Sequence, residues 1–169
     1  RKDNLFVPNA PQPDTLNAVG RQTSRGVELS LMLRPSDRWE LAANAAYTHA
    51  RYDEYRGGSP LRSYNGNRPA YIPDWTANLT ARYMPTEQWG LTSSLRYVGS
   101  SYNDDANQRK MPSYTTLDLA TDYQITRTVG VGVRIRNVTN QLYAYQRTYP
   151  DQVLIAPSRT YESFISVRF

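Results

Sequence analysis

The feature that most constrains this chain is a two-residue alternation of apolar and polar side chains, repeated in segment after segment. In the cleanest example, Trp75, Leu79 and Tyr83 share one face, while Asn78 and Arg82 lie on the other. Successive side chains of a β-strand point to opposite faces, so this period predicts strands with one apolar and one polar face. Seven such segments occur, at residues 27–34, 39–48, 75–83, 89–98, 117–125, 129–136 and 161–169.

Short and long connections alternate along the chain. Turn-forming sequences are found around Pro35, Pro85 and Arg127, where only a few residues separate consecutive segments. Because antiparallel strands reverse direction at every connection, the short turns are expected at one edge of the sheet and the long loops at the other. The long connections, which are polar and rich in tyrosine, are residues 56–72, 103–112 and 140–158.

Aromatic residues mark both ends of the predicted strands. A strand crosses a lipid bilayer with about 9–11 residues, and membrane barrels carry aromatic residues at both interfaces. The chain is therefore predicted to be all-β, an antiparallel transmembrane β-barrel with its apolar faces towards lipid. A soluble β-sandwich is the alternative, but single arginines at matching depths on the polar faces speak against it. The aromatic residues near the short turns are Trp39, Tyr83, Trp89 and Tyr123, and those towards the long loops are Tyr47, Trp75, Tyr97 and Tyr114.

Composition narrows the classes of function. The formal net charge is +5, but the basic residues are scattered, which argues against nucleic-acid binding. The absence of cysteine excludes a disulfide scaffold and a thiolate metal site. Asp104 and Asp105 lack further spaced ligands, so no metal site is predicted. The single histidine, His49, has no nucleophile at a recognisable spacing, so neither a catalytic residue nor a cofactor is predicted.

Five short motifs resemble the successive end-motifs of TonB-dependent siderophore receptors. The resemblance extends from about residue 17 onward, and the order and strand-like spacing of the motifs carry it. Asn137-Val138-Thr139-Asn140 stands where the family usually has Asn-Leu-Phe-Asp, a replacement that is conservative in shape. The motifs are Ser24–Leu29, Arg96–Tyr102, Pro112–Asp118, Val133–Asn140 and Ser166–Phe169.

The resemblance implies that the seven strands are the last seven of a probable 22-stranded barrel, whose lumen holds an N-terminal plug. Residues 1–7 are then expected to be the tail of the preceding strand. The chain starts at Arg1 without an initiator methionine or an export signal. Residues 1–169 are accordingly interpreted as the C-terminal part of the barrel, with the plug and the earlier strands absent.

The resemblance implies active import of a scarce nutrient across the bacterial outer membrane, and a ferric siderophore is the nutrient expected first. Extracellular loops and the plug would bind the ligand, and TonB would act through the absent N-terminal part. Outer-membrane lipid, lipopolysaccharide and the barrel assembly machinery are the other expected partners. A passive porin, or the translocator barrel of an autotransporter or adhesin, is the alternative.

The long connections supply the candidate ligand-binding residues. Tyrosine offers stacking surface, and arginine offers cation–π contacts and charge-assisted hydrogen bonds to an anionic ferric complex. On the polar faces, arginines and carboxylates are expected to form ion pairs across strands. The ligand candidates are Tyr52, Tyr55, Arg56, Arg62, Tyr64, Arg68, Tyr71, Tyr102, Arg109, Tyr145, Arg147 and Tyr149.

The last segment alternates down to the terminal aromatic residue. In the family that the motifs resemble, such a strand carries the signal that the outer-membrane assembly machinery reads. The residues to which this role is assigned are Tyr161, Ile165, Val167 and Phe169.

Overall fold

The computed structural model describes residues 2–9, 12–57, 62–148 and 152–168. All the regular secondary structure in these ranges is β-strand. Among the residues described, no helix is long and apolar enough to span a membrane. The strands are β1 (Lys2–Asn9), β2 (Gln12–Ser36), β3 (Trp39–Gly57), β4 (Arg62–Ser63), β5 (Trp75–Thr86), β6 (Trp89–Val98), β7 (Ser101–Tyr102), β8 (Lys110–Met111), β9 (Tyr114–Gln124), β10 (Val129–Arg136), β11 (Ala144–Thr148), β12 (Gln152–Ile155) and β13 (Thr160–Val167).

The main sheet follows the chain. Its strand order is β1-β2-β3-β5-β6-β9-β10-β13, with β4 added alongside β3. Strands β5, β6, β9, β10 and β13 pair antiparallel along this path. The predicted antiparallel meander is confirmed, and all seven predicted strands are present. Strand β1, which pairs with β2, is the preceding strand that the sequence placed at residues 1–7.

One face of the sheet is apolar and uncovered. Trp75 is 52% exposed and Leu79 is 46% exposed. Among the residues whose side chains the structure describes, the buried apolar ones are Ala50, Tyr52, Tyr55, Pro69, Met111 and Ala156, too few to form a layer between two packed sheets. The soluble β-sandwich is thereby excluded. The exposed apolar face also includes Val27, Leu29, Leu31, Leu33, Trp39, Trp89, Leu95, Leu119, Tyr123, Val133, Ile165 and Val167.

The tight turns form as their sequences predict. Ser36 Oγ accepts a hydrogen bond from the Arg38 backbone N–H at 3.3 Å, in the turn between β2 and β3. Between β9 and β10, Thr126 Oγ1 accepts from the backbone N–H groups of Thr128 and Val129 at 3.2 and 3.0 Å. These side chains satisfy backbone donors that the strand ladder leaves without partners.

Strands β2 and β3 are longer than predicted. Strand β2 begins at Gln12 rather than Val27, and β3 continues to Gly57 rather than ending near Thr48. Alternation is a signal of strands that have one face in lipid, so it does not mark the polar portions of these strands. The long connections also contain short antiparallel pairs, β3 with β4, β7 with β8 and β11 with β12.

Candidate functional site

The described contacts divide the chain into two compact units, residues 1–27, 47–74 and 100–112 in the first, and residues 28–46, 75–99 and 113–169 in the second. The first unit contains the end of β3 and the connections from β3 to β5 and from β6 to β9, and together these segments carry most of the predicted ligand residues.

Three predicted ligand tyrosines form a cluster in the first unit. The ring centroids of Tyr52 and Tyr55 lie 4.5 Å apart, and those of Tyr55 and Tyr64 lie 5.5 Å apart. Tyr52 is only 8% exposed, and its hydroxyl donates to Asp105 Oδ1 at 2.8 Å. Burial, reinforced by Asp105, raises the pKa of Tyr52, and burial together with the Asp105 charge raises that of Tyr55 to about 12. These phenols are therefore neutral donors that stabilise the connection.

Arg68 lies in the interior of the same unit. Its side chain is 14% exposed, and Nη2 contacts Asp74 Oδ1 at 2.8 Å. The same nitrogen donates to the backbone carbonyls of Ile72 and Ser100, both at 3.3 Å. The guanidinium carbon lies 5.5 Å from the centre of the Tyr102 ring, close enough for a cation–π contact. The structure thus places this predicted ligand arginine among partners in two connections.

A second set of hydrogen bonds surrounds Asn107. Its Oδ1 accepts from the Arg68 backbone N–H at 2.8 Å, and its Nδ2 donates to the Arg68 carbonyl at 2.8 Å. Asp104 Oδ1 and Oδ2 accept from the backbone N–H groups of Arg109 and Gln108 at 2.9 and 3.2 Å. The Asp104 carboxylate therefore closes a turn, and in the part of the chain described no three potential metal-ligating side chains come together.

Other predicted ligand residues lie at the surface of the first unit. Arg56, Arg62 and Arg109 are exposed. Tyr71 is 43% exposed, and its φ of 61° lies in the left-handed region, which is uncommon for a residue other than glycine. His49, the single histidine, is also exposed.

The connection from β10 to β13 belongs to the second unit and is held by Asn137, a residue that the sequence pattern did not single out as structural. The Asn137 backbone N–H donates to Asp118 Oδ1 at 2.8 Å, its Oδ1 accepts from the Gln141 N–H at 2.9 Å, and its Nδ2 donates to the Gln141 carbonyl at 3.0 Å. The rings of Tyr114 and Tyr143 stack with centroids 3.9 Å apart.

The remaining predicted ligand residues belong to this last connection. Tyr145 is 52% exposed. The backbone of Arg147 pairs with Val153 in β11 and β12, and Tyr149 lies outside the described residues.

The polar face of the sheet carries the ion pairs that the sequence predicted. Arg82 makes a bidentate contact with Asp122, with Nη1–Oδ1 and Nη2–Oδ2 distances of 2.8 Å. Its guanidinium reaches β9 across Gly90 of β6, where a Cβ atom would clash with it. The other pairs are Arg34–Glu40 at 2.8 Å, Arg136–Glu162 at 2.7 Å and Arg134–Glu162 at 3.7 Å.

The terminal strand shows the predicted division of faces. Tyr161, Ile165 and Val167 are exposed on the apolar face, and Phe169 lies outside the described residues. On the opposite face the Phe164 ring covers Gly132, its direct partner in β10. Gly132 leaves room for this ring because it has no side chain of its own.

The comparison with protein families decides the identity of the fold. The family described as "TonB dependent receptor-like, beta-barrel" matches residues 1–138. The chain belongs to this family. Its members are β-barrel proteins of the outer membrane, and the chain is accordingly located in the outer membrane. Membership also decides against the porin and the adhesin translocator.

Similar proteins include receptors and transporters from several bacteria. A probable TonB-dependent siderophore receptor, PiuA of Acinetobacter baumannii, is 28% identical over 139 residues, which cover 78% of this chain and 18% of that protein. The ferrichrome outer membrane transporter/phage receptor of Escherichia coli is 32% identical over 128 residues, 73% of this chain and 16% of that protein. The chain therefore spans less than a fifth of these relatives.

Solved structures agree on the fold. The crystal structure of PiuA from Acinetobacter baumannii aligns with a TM-score of 0.82 at 23% identity, over 97% of this chain and 24% of that one. The ferric yersiniabactin uptake receptor FyuA of Yersinia pestis aligns with a TM-score of 0.79 at 22% identity, over 92% of this chain and 25% of that one. At these identities the likeness establishes the shared fold.

Proposed function

We propose that this chain is the C-terminal part of a receptor that imports a ferric siderophore across the outer membrane. The plug and the earlier strands of a probable 22-stranded barrel would precede it, and TonB would act on that N-terminal part. The names of the relatives support this proposal, since PiuA, the ferrichrome transporter and a ferrioxamine receptor of Yersinia enterocolitica are all among them. Lipopolysaccharide and the barrel assembly machinery are the further partners proposed.

The proposed class of ligand rests on the distribution of charge in the first unit. Arg68 is neutralised by Asp74, whereas Arg56 and Arg62 are exposed. The exposed carboxylates Asp53 and Glu54 are outnumbered in this unit by the exposed basic residues Arg56, Arg62, Arg109 and Lys110. Exposed guanidinium groups in a unit that is also rich in tyrosine favour an anionic ligand with planar parts, such as a ferric siderophore.

The proposed mechanism involves no covalent chemistry. The long connections and the plug bind the ferric complex in one state of the receptor, and the pull of TonB on the plug favours a second state with lower affinity. Arg56, Arg62, Arg109, Tyr71 and Tyr145 are the loop residues best placed for ligand contact, because each is exposed. Tyr52, Tyr55 and Arg68 are proposed to support the connections that present them.

The experiment that tests this function is growth of a deletion strain on single iron sources. The full-length gene is deleted, and growth is measured with ferrichrome, ferrioxamine or a ferric catecholate as the only iron supply. Loss of growth on one source, restored by the intact gene, is the expected result. Unchanged growth on every iron complex, with loss of growth on cobalamin or another scarce nutrient, would show that the receptor imports a different ligand.

The loop arginines can be tested separately in the full-length receptor. Replacing both Arg56 and Arg62 with Gln is expected to weaken capture by about 1–3 kcal/mol if they make charge-assisted contacts with the ligand. Replacing both Arg38 and Arg127 with Gln, in the exposed turns after β2 and β9, is the matched control for the loss of two charges. An unchanged half-saturation concentration for iron uptake, measured at verified surface levels of the receptor, would show that these arginines do not contact the ligand.

A further inference from the structure

The connection from β3 to β5 and the connection from β6 to β9 are bonded to each other by main-chain and side-chain groups. The Tyr71 N–H donates to the Tyr102 carbonyl at 2.7 Å. Asn67 Nδ2 donates to the Asp105 carbonyl at 2.7 Å. These bonds tie segments that lie far apart in the sequence, and both donors belong to the first connection.

Arg68 and Asn107 form the centre of this junction. Each of the two peptide groups flanking Arg68 is bonded to the Asn107 amide, which acts as both acceptor and donor. The Arg68 side chain contacts Asp74 in its own connection and the Ser100 carbonyl in the other. A charged group that is largely buried and ion-paired is costly to displace, because either partner would be left unpaired in a low-dielectric site.

The junction also contains backbone strain. Tyr71 and Asn107 have φ values of 61° and 56°. The left-handed region is tolerated by asparagine but unfavourable for a tyrosine. The Tyr71 bond to Tyr102 holds it there, in the connection that Arg68 fixes. Strain of this kind is concentrated at functional sites, where the surrounding structure maintains it.

We propose that Arg68, Tyr71, Tyr102 and Asn107 form a loop clasp, which makes the two connections move as one body. Arg68 is a positioning residue in the clasp. It maintains the conformation in which the partly exposed Tyr71 is presented to ligand. The role in ligand capture rests on the proposed function, whereas the joining of the two connections does not.

The clasp can be tested by a distance measurement on the full-length receptor in membranes. Spin labels are placed at Ser63→Cys and Gln108→Cys, exposed positions in the two connections, with any cysteine elsewhere replaced by serine. The parent receptor is expected to give a narrow distance distribution. Arg68→Gln is expected to give a broad or bimodal one, and Asn107→Ala, which opens the junction from the other connection, a similar broadening.

Two controls make the measurement specific. Arg25→Gln removes an exposed charge from β2 in the same unit and should leave the distribution narrow. Arg68→Lys keeps a charge for Asp74 but lacks the planar fork, so it should give an intermediate width. A narrow distribution in both Arg68→Gln and Asn107→Ala would overturn the clasp, as would equal broadening in Arg25→Gln.

Uptake of iron from ferrichrome, ferrioxamine and a ferric catecholate provides the second readout. Arg68→Gln should raise the half-saturation concentration by about threefold to tenfold and leave the maximal rate unchanged at matched surface levels. Broadening of the distance distribution with an unaltered half-saturation would refute the positioning role. If none of these complexes is imported by the parent, the proposed ligand class fails, and the distance measurement still decides whether the clasp exists.

Discussion

Replacing Gly132 with alanine should destabilise the barrel, although alanine is ordinarily the better strand residue. Gly132 lies directly opposite Phe164 in the pairing of β10 with β13. A Cβ atom at residue 132 would lie 2.7 Å from Phe164 Cε1, so the ring would have to leave its position. Overpacking of this kind costs about 1–3 kcal/mol, and removing a glycine from a strand returns roughly 0.5–1 kcal/mol. The expected net loss is about 1 kcal/mol, within a range of about 0–2.5 kcal/mol.

The assay is guanidinium-induced unfolding of the full-length receptor in detergent micelles, followed by tryptophan emission. Gly132→Ala should lower the midpoint, and Phe164→Ala should lower it as well by removing the ring. In the Phe164→Ala background, the Gly132→Ala change should be neutral or stabilising, because the clash has gone. A higher midpoint for Gly132→Ala in the parent, or strictly additive effects in the cycle, would refute the packing role of this pair.

Three further predictions concern other parts of the chain. Gly90→Val should displace Arg82 from Asp122 and lower the unfolding midpoint, and the drop should be smaller in an Arg82→Gln background. Deleting Phe169, or changing it to Asp, should reduce the amount of receptor assembled in the outer membrane far more than its ligand affinity, and normal surface abundance would contradict this role. Burial raises the pKa of Tyr55 to about 12. The unfolded chain releases this proton near pH 10 already, so the folded state should lose stability as the pH rises from about 10 to about 12. The difference between the absorbance titrations of the parent and Tyr55→Phe should accordingly show tyrosinate only near the upper end, and a difference that develops near pH 10 would contradict the burial of Tyr55.

The sequence predicted strands well where one side of the strand meets lipid. Alternation from Trp75 to Tyr83 identified the inner part of β5, and the polar residue Arg82 was placed correctly on the opposite face. The sequence did not predict that β2 begins at Gln12, because a strand segment without a lipid-facing side shows no alternation of apolar and polar residues. The short strand pairs within the long connections were missed for the same reason.

The candidate site was predicted less completely, because residue type does not reveal whether a side chain is already paired. Arg62 and Arg68 look alike in the sequence, yet Arg62 is exposed while the Arg68 side chain is 14% exposed and paired. The organising role of Asn137 depends on contacts with Gln141 and Asp118 that only the folded chain brings together. Residue type indicates which interactions a loop side chain can offer, whereas the contacts that it actually makes require the structure.

The most direct test of import by this receptor is uptake of radioactive iron by cells that express the full-length protein. Ferrichrome, ferrioxamine and a ferric catecholate are each supplied to a deletion strain carrying the receptor, in the presence and absence of TonB. The account predicts saturable uptake of at least one complex that requires both the receptor and TonB. Uptake that persists without TonB and rises linearly with concentration, or the absence of receptor-dependent uptake for every iron complex, would contradict it.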